Sequence, residues 1–115
     1  MEDKLVFDKD KALNIIGDDE EFLREIVEIF LIDVPQQVSE IKKAVDSRNG
    51  EALEKSSHKL KGAVSNFGEN ATFKTALKLE IIGKENRLED VDGIYGTLVK
   101  DIECLVNTLK ELIKD

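Results

Sequence analysis

The chain contains one histidine, His58, and the residues around it are the ones best suited to chemistry. Lys61 and Gly62 follow three and four residues later, so on a helix both lie on the same face as the imidazole. An imidazole is largely neutral near pH 7 and is then a nucleophile, and a lysine one turn away can hold the charge of a phosphate. A glycine inside a helix costs ~1 kcal/mol relative to alanine, but it lets another macromolecule approach the backbone. The spacing therefore predicts an accessible nucleophile with a phosphate-holding charge.

The helix that carries these residues has an apolar stripe on its opposite side. At about 100° per residue, His58 falls nearly opposite the centre of a set of four apolar residues. The set is Leu53, Leu60, Val64 and Phe67. A lone exposed histidine on a helix is usually only a solvated side chain, and here the neighbouring lysine and glycine favour a functional role. We therefore expect His58 to be solvent-exposed, near the middle of a bundle helix.

Apolar residues recur with a helical period along the whole sequence, which contains one proline, Pro35. Asp18 and Glu21 resemble a capping box at the start of a long helix, which continues past Pro35 and ends at the turn Asn49-Gly50. The other expected helices span residues 9–16, about 51–67 up to Gly68, from Asn70 to Gly83, and about 88–113. Because the loops are short, neighbouring helices should be antiparallel. The pattern predicts one all-α domain over residues 1–115, an antiparallel four-helix bundle with a short additional N-terminal helix.

The composition excludes several classes of protein. Hydrophobic residues make up 41% and charged residues 37% of 115 residues, which indicates a globular chain, and its formal net charge of −8 would repel nucleic acid and anionic lipid. No apolar run approaches the ~20 residues that span a bilayer, and the first residues lack the features of a secretory signal. One cysteine excludes an internal disulfide, and one histidine excludes a His-rich metal centre. We expect a cytoplasmic protein without a cofactor or a metal of its own.

The residues from His58 to Gly62, together with Gly68, carry a resemblance to a known family. His58-Lys59-Leu60-Lys61-Gly62, with Gly68 ten residues after the histidine, resembles the H-x-L-K-G-x5-G signature of histidine-containing phosphotransfer (HPt) domains. The resemblance covers nearly the whole chain and includes Leu79-Glu80-Ile81-Ile82-Gly83-Lys84, which is similar to the family's L-E-x-x-G-[RK] stretch. It implies a four-helix bundle whose histidine takes a phosphoryl group from one aspartate and gives it to another.

The resemblance also implies a role for each matching residue. His58 would be phosphorylated on Nε2, Lys61 would neutralise the phosphoryl oxygens, and Gly62 would leave room for the partner's loops. Glu80 aligns with a polar residue that in some members hydrogen-bonds Nδ1–H and fixes the tautomer. Lys84 aligns with a basic residue near the partner interface in some members.

The partners implied are receiver domains of response regulators and a hybrid sensor histidine kinase. The receiver would bring the aspartate, Mg²⁺ and a lysine of its own, since phosphoryl transfer is mainly positioning and charge stabilisation. The isolated domain should therefore show no turnover. We expect no nucleic-acid or membrane partner, and we expect a monomer.

The long helix also has an apolar band of about 200°, wider than a normal core stripe. It reaches from Phe22 and Ile29 round to Leu31 and Val38. Two interpretations remain open: the short N-terminal helix covers the extra strip, or part of the strip stays exposed beside His58 and docks a receiver domain.

Three alternatives to a phosphorelay carrier are a passive helical adaptor, the phosphoacceptor domain of a histidine kinase, and a phosphotransfer domain of a chemotaxis-type kinase. A passive helical adaptor has no need of a glycine in the middle of the helix beside His58. The phosphoacceptor domain of a histidine kinase would place an acidic residue and Thr-Pro after its histidine, whereas Lys59 follows here and the proline is Pro35. A phosphotransfer domain of a chemotaxis-type kinase is closely related to a phosphorelay carrier, so this alternative stays open.

Overall fold

The computed structural model describes residues 19–68 and 70–113 as four α-helices joined by short connections. They are α1 (Glu20–Asp46), α2 (Gly50–Val64), α3 (Ala71–Glu85) and α4 (Val91–Leu112), with a 3-10 turn at Ser65–Phe67 after α2. Helix α2 packs between α1 and α3, and α4 packs on α3 and α1. The predicted four-helix bundle is confirmed. The helix predicted over residues 9–16 lies outside the described residues.

Side-chain caps set the starts of the first three helices. Asp19 accepts a hydrogen bond from the backbone N–H of Phe22 at 3.0 Å, so the N-cap of α1 is one residue later than the predicted Asp18. Asn49 caps α2 through Ala52, and Asn70 caps α3 through Phe73. The prediction that Asn49-Gly50 forms the turn after the long helix is therefore wrong, because Asn49 starts the next helix.

The turn after α1 instead uses the two residues before that cap. Ser47 and Arg48 connect the helices, and Arg48 has a positive φ of 53°. Its guanidinium donates to the carboxylate of Asp92 at 2.7 and 3.2 Å, which ties this turn to the first residues of α4. The turn after α1 thus lies two residues earlier than the predicted Asn49-Gly50 turn.

Gly68 and Gly83, which the sequence analysis treated as the ends of two helices, have different roles in the structure. Gly68 has a φ of 88° and ends the last turn after α2, as predicted. Gly83, predicted to end α3, lies inside it, and α3 continues to Glu85 before Asn86 adopts the left-handed conformation. A Cβ on Gly83 would lie 2.6 Å from both Glu54 N and Gly50 O. Gly83 is therefore a point of close backbone contact between α3 and α2.

The core lies along one face of each helix. Helix α1 continues through Pro35, which lacks an N–H to donate within the helix, and buries residues on both sides of it, among them Phe30 and Ile41. The ring of Phe30 meets that of Phe67 edge-on, with centroids 5.3 Å apart. Helix α4 buries one stripe, which includes Leu98, Ile102, Leu105 and Leu109. Within the part of the chain that the structure describes, no helix combines the length and apolar character needed to cross a membrane.

Two glycines in helix interiors should respond oppositely to the same substitution. Gly83→Ala puts a methyl group against the backbone of α2, so we expect it to lower the free energy of unfolding by about 1–3 kcal/mol, as overpacking does. Gly62→Ala is the matched control, because a Cβ there meets no heavy atom within 4 Å and alanine is the better helix former by up to ~1 kcal/mol. Denaturant unfolding of the two variants measures both effects. A Gly83→Ala variant as stable as the parent protein would contradict the close contact.

Candidate functional site

His58 projects from the middle of α2, away from the core. The four residues of the predicted stripe, Leu53, Leu60, Val64 and Phe67, are all buried. The His58 side chain is 68% exposed, so the predicted exposure is confirmed. The preceding residue, Ser57, is buried, which fixes the rotation of this turn of the helix. The imidazole is thus held at the surface by a helix that cannot rotate without exposing its stripe.

The imidazole does not stand alone, because a carboxylate from α3 reaches it. His58 Nδ1 lies 2.9 Å from Glu80 Oε2. The other carboxylate oxygen, Oε1, lies 2.7 Å from Lys61 Nζ. Glu80, which lies on α3, therefore contacts both the histidine and the lysine of α2. The side chains of Glu80 and Lys61 are only 18% and 22% exposed, so this ion pair is shielded from bulk water.

Two opposing influences set the pKa of the Glu80 carboxyl. Its partial burial acts to raise the pKa, but hydrogen bonds from Lys61 and His58, with the positive charge of Lys61, act in the other direction and together outweigh it. The pKa of Glu80 is therefore lowered from its ordinary value, and the group is ionised at neutral pH. Since a carboxylate only accepts hydrogen bonds, Nδ1 must carry the proton in this contact. In the neutral imidazole, the lone pair then lies on Nε2.

The space around His58 is open on the side of Gly62. A Cβ built on Gly62 would meet no heavy atom within 4 Å, and the residue is exposed. Gly62 follows His58 by one helical turn, so the bare backbone lies about 6 Å along the helix from it. On the other side, Glu54, Lys55 and Glu80 line a shallow cleft next to the imidazole. The site is an open surface with one exposed nucleophile beside a shallow cleft, and not an enclosed pocket.

The structure brings three of the five candidate site residues into one hydrogen-bonded cluster. His58, Lys61 and Glu80 form it, Gly62 borders it, and Lys84 is exposed one turn after Glu80. Lys84 makes no ion pair with a residue that the structure describes. The sequence analysis placed Lys61 on the face of His58 but did not anticipate that the lysine binds Glu80. The resemblance to the family had implied a hydrogen bond of Glu80 to His58 Nδ1, and the structure shows that contact. Gly50 and Gly83, one in each helix, are a further sequence signal of the close approach that allows it.

Comparisons with known proteins identify the family and the fold of the chain. The model of the Hpt domain family matches residues 25–113. The phosphorelay intermediate protein rdeA of Dictyostelium discoideum is 24% identical over 109 residues, which are 95% of this chain and 43% of that protein. The chain thus spans less than half of the length of this curated relative.

A solved structure has the same fold. The histidine-containing phosphotransfer protein B (HptB) of Pseudomonas aeruginosa PAO1 superposes with a TM-score of 0.83 at 16% sequence identity, over 92% of each chain. At this identity the likeness concerns the fold alone. Because the family model extends over most of the chain, including all five candidate site residues, this protein belongs to the Hpt domain family of histidine phosphotransfer domains.

Proposed function

We propose that this protein is a phosphoryl carrier between aspartates of receiver domains in a two-component phosphorelay, phosphorylated on His58. The observation that supports the proposal most directly is the hydrogen bond from His58 Nδ1 to the ionised Glu80. It holds the proton on Nδ1 and leaves the Nε2 lone pair on a side chain that is 68% exposed. An adaptor without chemistry would gain nothing from fixing the tautomer of a surface histidine.

The transfer step balances with the groups that are present. The Nε2 lone pair attacks the phosphorus of an aspartyl phosphate, the P–O bond to the aspartate breaks, and that electron pair leaves with the aspartate as a carboxylate. The proton on Nδ1 stays, so the phosphorylated ring carries a positive charge. Glu80 lies 2.9 Å from that N–H and balances this charge. The reverse reaction passes the phosphoryl group to the next aspartate.

Lys61 would supply the positive charge for the phosphoryl oxygens. Its ammonium has three N–H donors, and one is directed at Glu80 Oε1 at 2.7 Å. The remaining donors are available to a phosphoryl group on the neighbouring imidazole. The ion pair with Glu80 therefore keeps the lysine near His58 before the phosphoryl group arrives, so less rotamer freedom is lost on transfer.

The partner would contribute the rest of the chemistry. A receiver domain would supply the aspartate, its Mg²⁺ and a lysine, and a hybrid sensor histidine kinase would be the source of the phosphoryl group. The isolated protein would then accept one phosphoryl group without turnover. A cytoplasmic location fits these partners. Gly62 and its open surroundings would admit the receiver's loops.

The assignment of the acceptor is tested by His58→Gln. We expect this variant to take no label from a panel of phosphorylated receiver domains of the source organism. It should stay folded and lose only about 1–2 kcal/mol of stability, because the side chain is exposed and one hydrogen bond to Glu80 is removed. Lys59→Gln is the control, since it alters the exposed neighbour and should still accept label. Labelling of the His58→Gln protein would show that another residue is the acceptor.

The clearance at Gly62 is tested by a pair of glycine substitutions. Gly62→Gln should keep or raise helix stability, because glycine is the poorest ordinary helix former. Transfer from a receiver should nevertheless slow by about 100-fold, the scale of loss for a displacement of about 1 Å from the in-line geometry. Labelling by the small donor phosphoramidate should change less.

The control for that experiment is Gly96→Gln on α4. Gly96 is also an exposed helical glycine with no heavy atom near its Cβ position, but it is far along the chain from the site. It should match the stability gain and leave transfer unchanged. If Gly62→Gln transferred at the normal rate, the close approach of the receiver at this point would be wrong.

The role of Glu80 is tested by Glu80→Gln over a range of pH. The amide binds a histidine in either tautomer, so we expect phosphoramidate to label His58 about 10-fold more slowly, the scale of losing one hydrogen bond to a charged group. Because folding lowers the pKa of Glu80, its carboxylate adds stability above its ordinary pKa of 4.5, and this is lost as the pH falls through the lower folded value.

The stability difference between the parent and Glu80→Gln should therefore be largest near pH 7 and shrink below pH 4.5. Denaturant unfolding at several pH values measures it. Glu51→Gln is the control, because Glu51 forms an exposed ion pair with Lys55 on the same helix as His58 and should leave the labelling rate unchanged. An unchanged labelling rate for Glu80→Gln would refute the role in fixing the tautomer.

A further inference from the structure

The two nitrogens of the His58 ring face different surroundings. Nδ1 lies 2.9 Å from Glu80 Oε2, on the side of α3. Because Nε2 is on the opposite edge of an imidazole, its lone pair points away from α3 and over the exposed face of α2. Lys61 Nζ lies 2.7 Å from Glu80 Oε1, so this lysine is held on the Nδ1 side of the ring. A phosphoryl group on Nε2 would therefore lie on the other side of the ring from the ion pair of Lys61 and Glu80.

Lys55 and Gly62 share the strip of α2 on that other side. They are seven residues apart, so at about 100° per residue they lie within about 20° of each other around the helix. Lys55 lies about 60° round the helix from His58 in one direction, and Lys61 lies about 60° round in the other. Lys55 precedes His58 by one turn, and Gly62 follows it by one turn. The Nε2 side of the ring thus has a cation at one end and a bare backbone at the other.

The shallow cleft next to His58 brings Lys55 and the imidazole together. Its lining residues are Glu54, Lys55, His58 and Glu80. Side chains of a helix lean toward its N-terminus, so the imidazole lies over the turn that contains Lys55. The two carboxylates of the cleft lie on its α3 side, because Glu80 belongs to α3 and the backbone of Glu54 lies against Gly83. Both would repel a phosphoryl group toward Lys55, which alone of the four lining residues is a lysine or arginine.

The present partner of Lys55 holds it only weakly. Its Nζ lies 2.9 Å from Oε1 of Glu51, one turn earlier on α2, and the two side chains are 75% and 76% exposed. Ion pairs of this kind on a helix surface contribute little to stability, because water competes for both groups. A phosphoryl group carries a charge of about −1.5 to −2 and three strong acceptor oxygens, so it is the better partner for an ammonium. Lys55 is therefore free to exchange Glu51 for a phosphoryl group.

We propose that Lys55 is a second phosphoryl-binding residue of this site. When the phosphoryl group arrives on Nε2 of His58, the Lys55 ammonium leaves Glu51 and donates hydrogen bonds to the phosphoryl oxygens. Lys61 and Glu80 act from the Nδ1 side of the ring, and Lys55 acts from the Nε2 side. The bonds that form and break are those of the transfer step, and Lys55 keeps its proton throughout. This inference rests on the proposed function, since it adds a residue to the same site.

The experiment compares the rate of phosphoramidate labelling of the parent protein with the rates of Lys55→Gln and Lys55→Arg. We expect Lys55→Gln to label about 5-fold more slowly, the upper end for losing an exposed charge pair. Lys55→Arg keeps the charge and the donors, so its rate should stay within about 2-fold of the parent. At about 1 M ionic strength, where screening acts over ~3 Å, the difference between the parent and Lys55→Gln should shrink.

Lys59→Gln is the matched control. It removes the same charge from an exposed lysine of α2 that directly follows His58, but consecutive residues of a helix do not face each other. Lys59 Nζ instead lies 4.0 Å from Glu40 of α1. Its labelling rate should therefore change by less than about 2-fold. Glu51→Gln should also stay within that range, because Glu51 holds Lys55 only weakly.

A second measurement reports on the phosphoryl group itself. In the phosphorylated protein, a neighbouring ammonium lowers the pH at which the phosphoryl group takes up a proton. Titration followed by phosphorus NMR should therefore give a midpoint at higher pH in Lys55→Gln than in the parent and in Lys59→Gln. A role of Lys55 in helix stability alone would leave this midpoint where it is in the parent.

Two results would overturn the inference while leaving the proposed function intact. One is equal labelling by Lys55→Gln and Lys59→Gln, and the other is a titration midpoint in Lys55→Gln that matches the parent. Slow labelling by Lys55→Arg as well would also contradict it, because the effect would then not follow the charge. Failure of the proposed function has a different signature. The parent would take no label from phosphoramidate or any receiver, or His58→Gln would take as much as the parent, and the inference would then fail with it.

Discussion

The close contact of α3 with α2 at Gly83 is the constraint on which the site depends. A side chain there would collide with the backbone of Gly50 and Glu54, so only glycine allows the two helices to approach this closely. Glu80 lies one turn before Gly83, and His58 lies one turn after Glu54. The approach that brings the two backbones together therefore brings the carboxylate within 2.9 Å of the imidazole. A helix pair held further apart by larger side chains would leave the histidine without a partner.

The electrostatics of the cluster follow from that placement. One carboxylate serves both a histidine and a lysine, and it is mostly shielded from water, so its interactions are stronger than those of an ordinary surface ion pair. The arrangement orients two groups of α2 through a single group of α3. It also keeps the negative charge of Glu80 on the Nδ1 side of the ring. The same charge next to Nε2 would repel an incoming phosphoryl group.

The two sides of α2 differ in character. On the α3 side, the carboxylate of Glu80 contacts both the imidazole of His58 and the ammonium of Lys61. On the α1 side lies an acidic face with exposed apolar side chains. Phe22, Ile29 and Ile32 are exposed, so part of the wide apolar band of the long helix remains accessible to solvent. A net charge of −8 favours association with a basic surface and opposes association with an acidic one.

The sequence alone determined the helical class, the exposed position of His58 and the nearby Lys61 and Gly62, because these depend on local periodicity and on spacing within one helix. It also determined the buried stripe of α2, since apolar side chains at helical spacing must share a face. The resemblance to the family also implied the hydrogen bond of Glu80 to His58 Nδ1. Only the tertiary structure decided that Gly83 is a contact and not a helix end, and that Glu80 binds Lys61 as well. Both facts depend on the distance between two helices, which no spacing along one helix encodes. The same holds for the burial of Gln37, because whether a glutamine on an amphipathic helix is buried depends on what the neighbouring helix places opposite it.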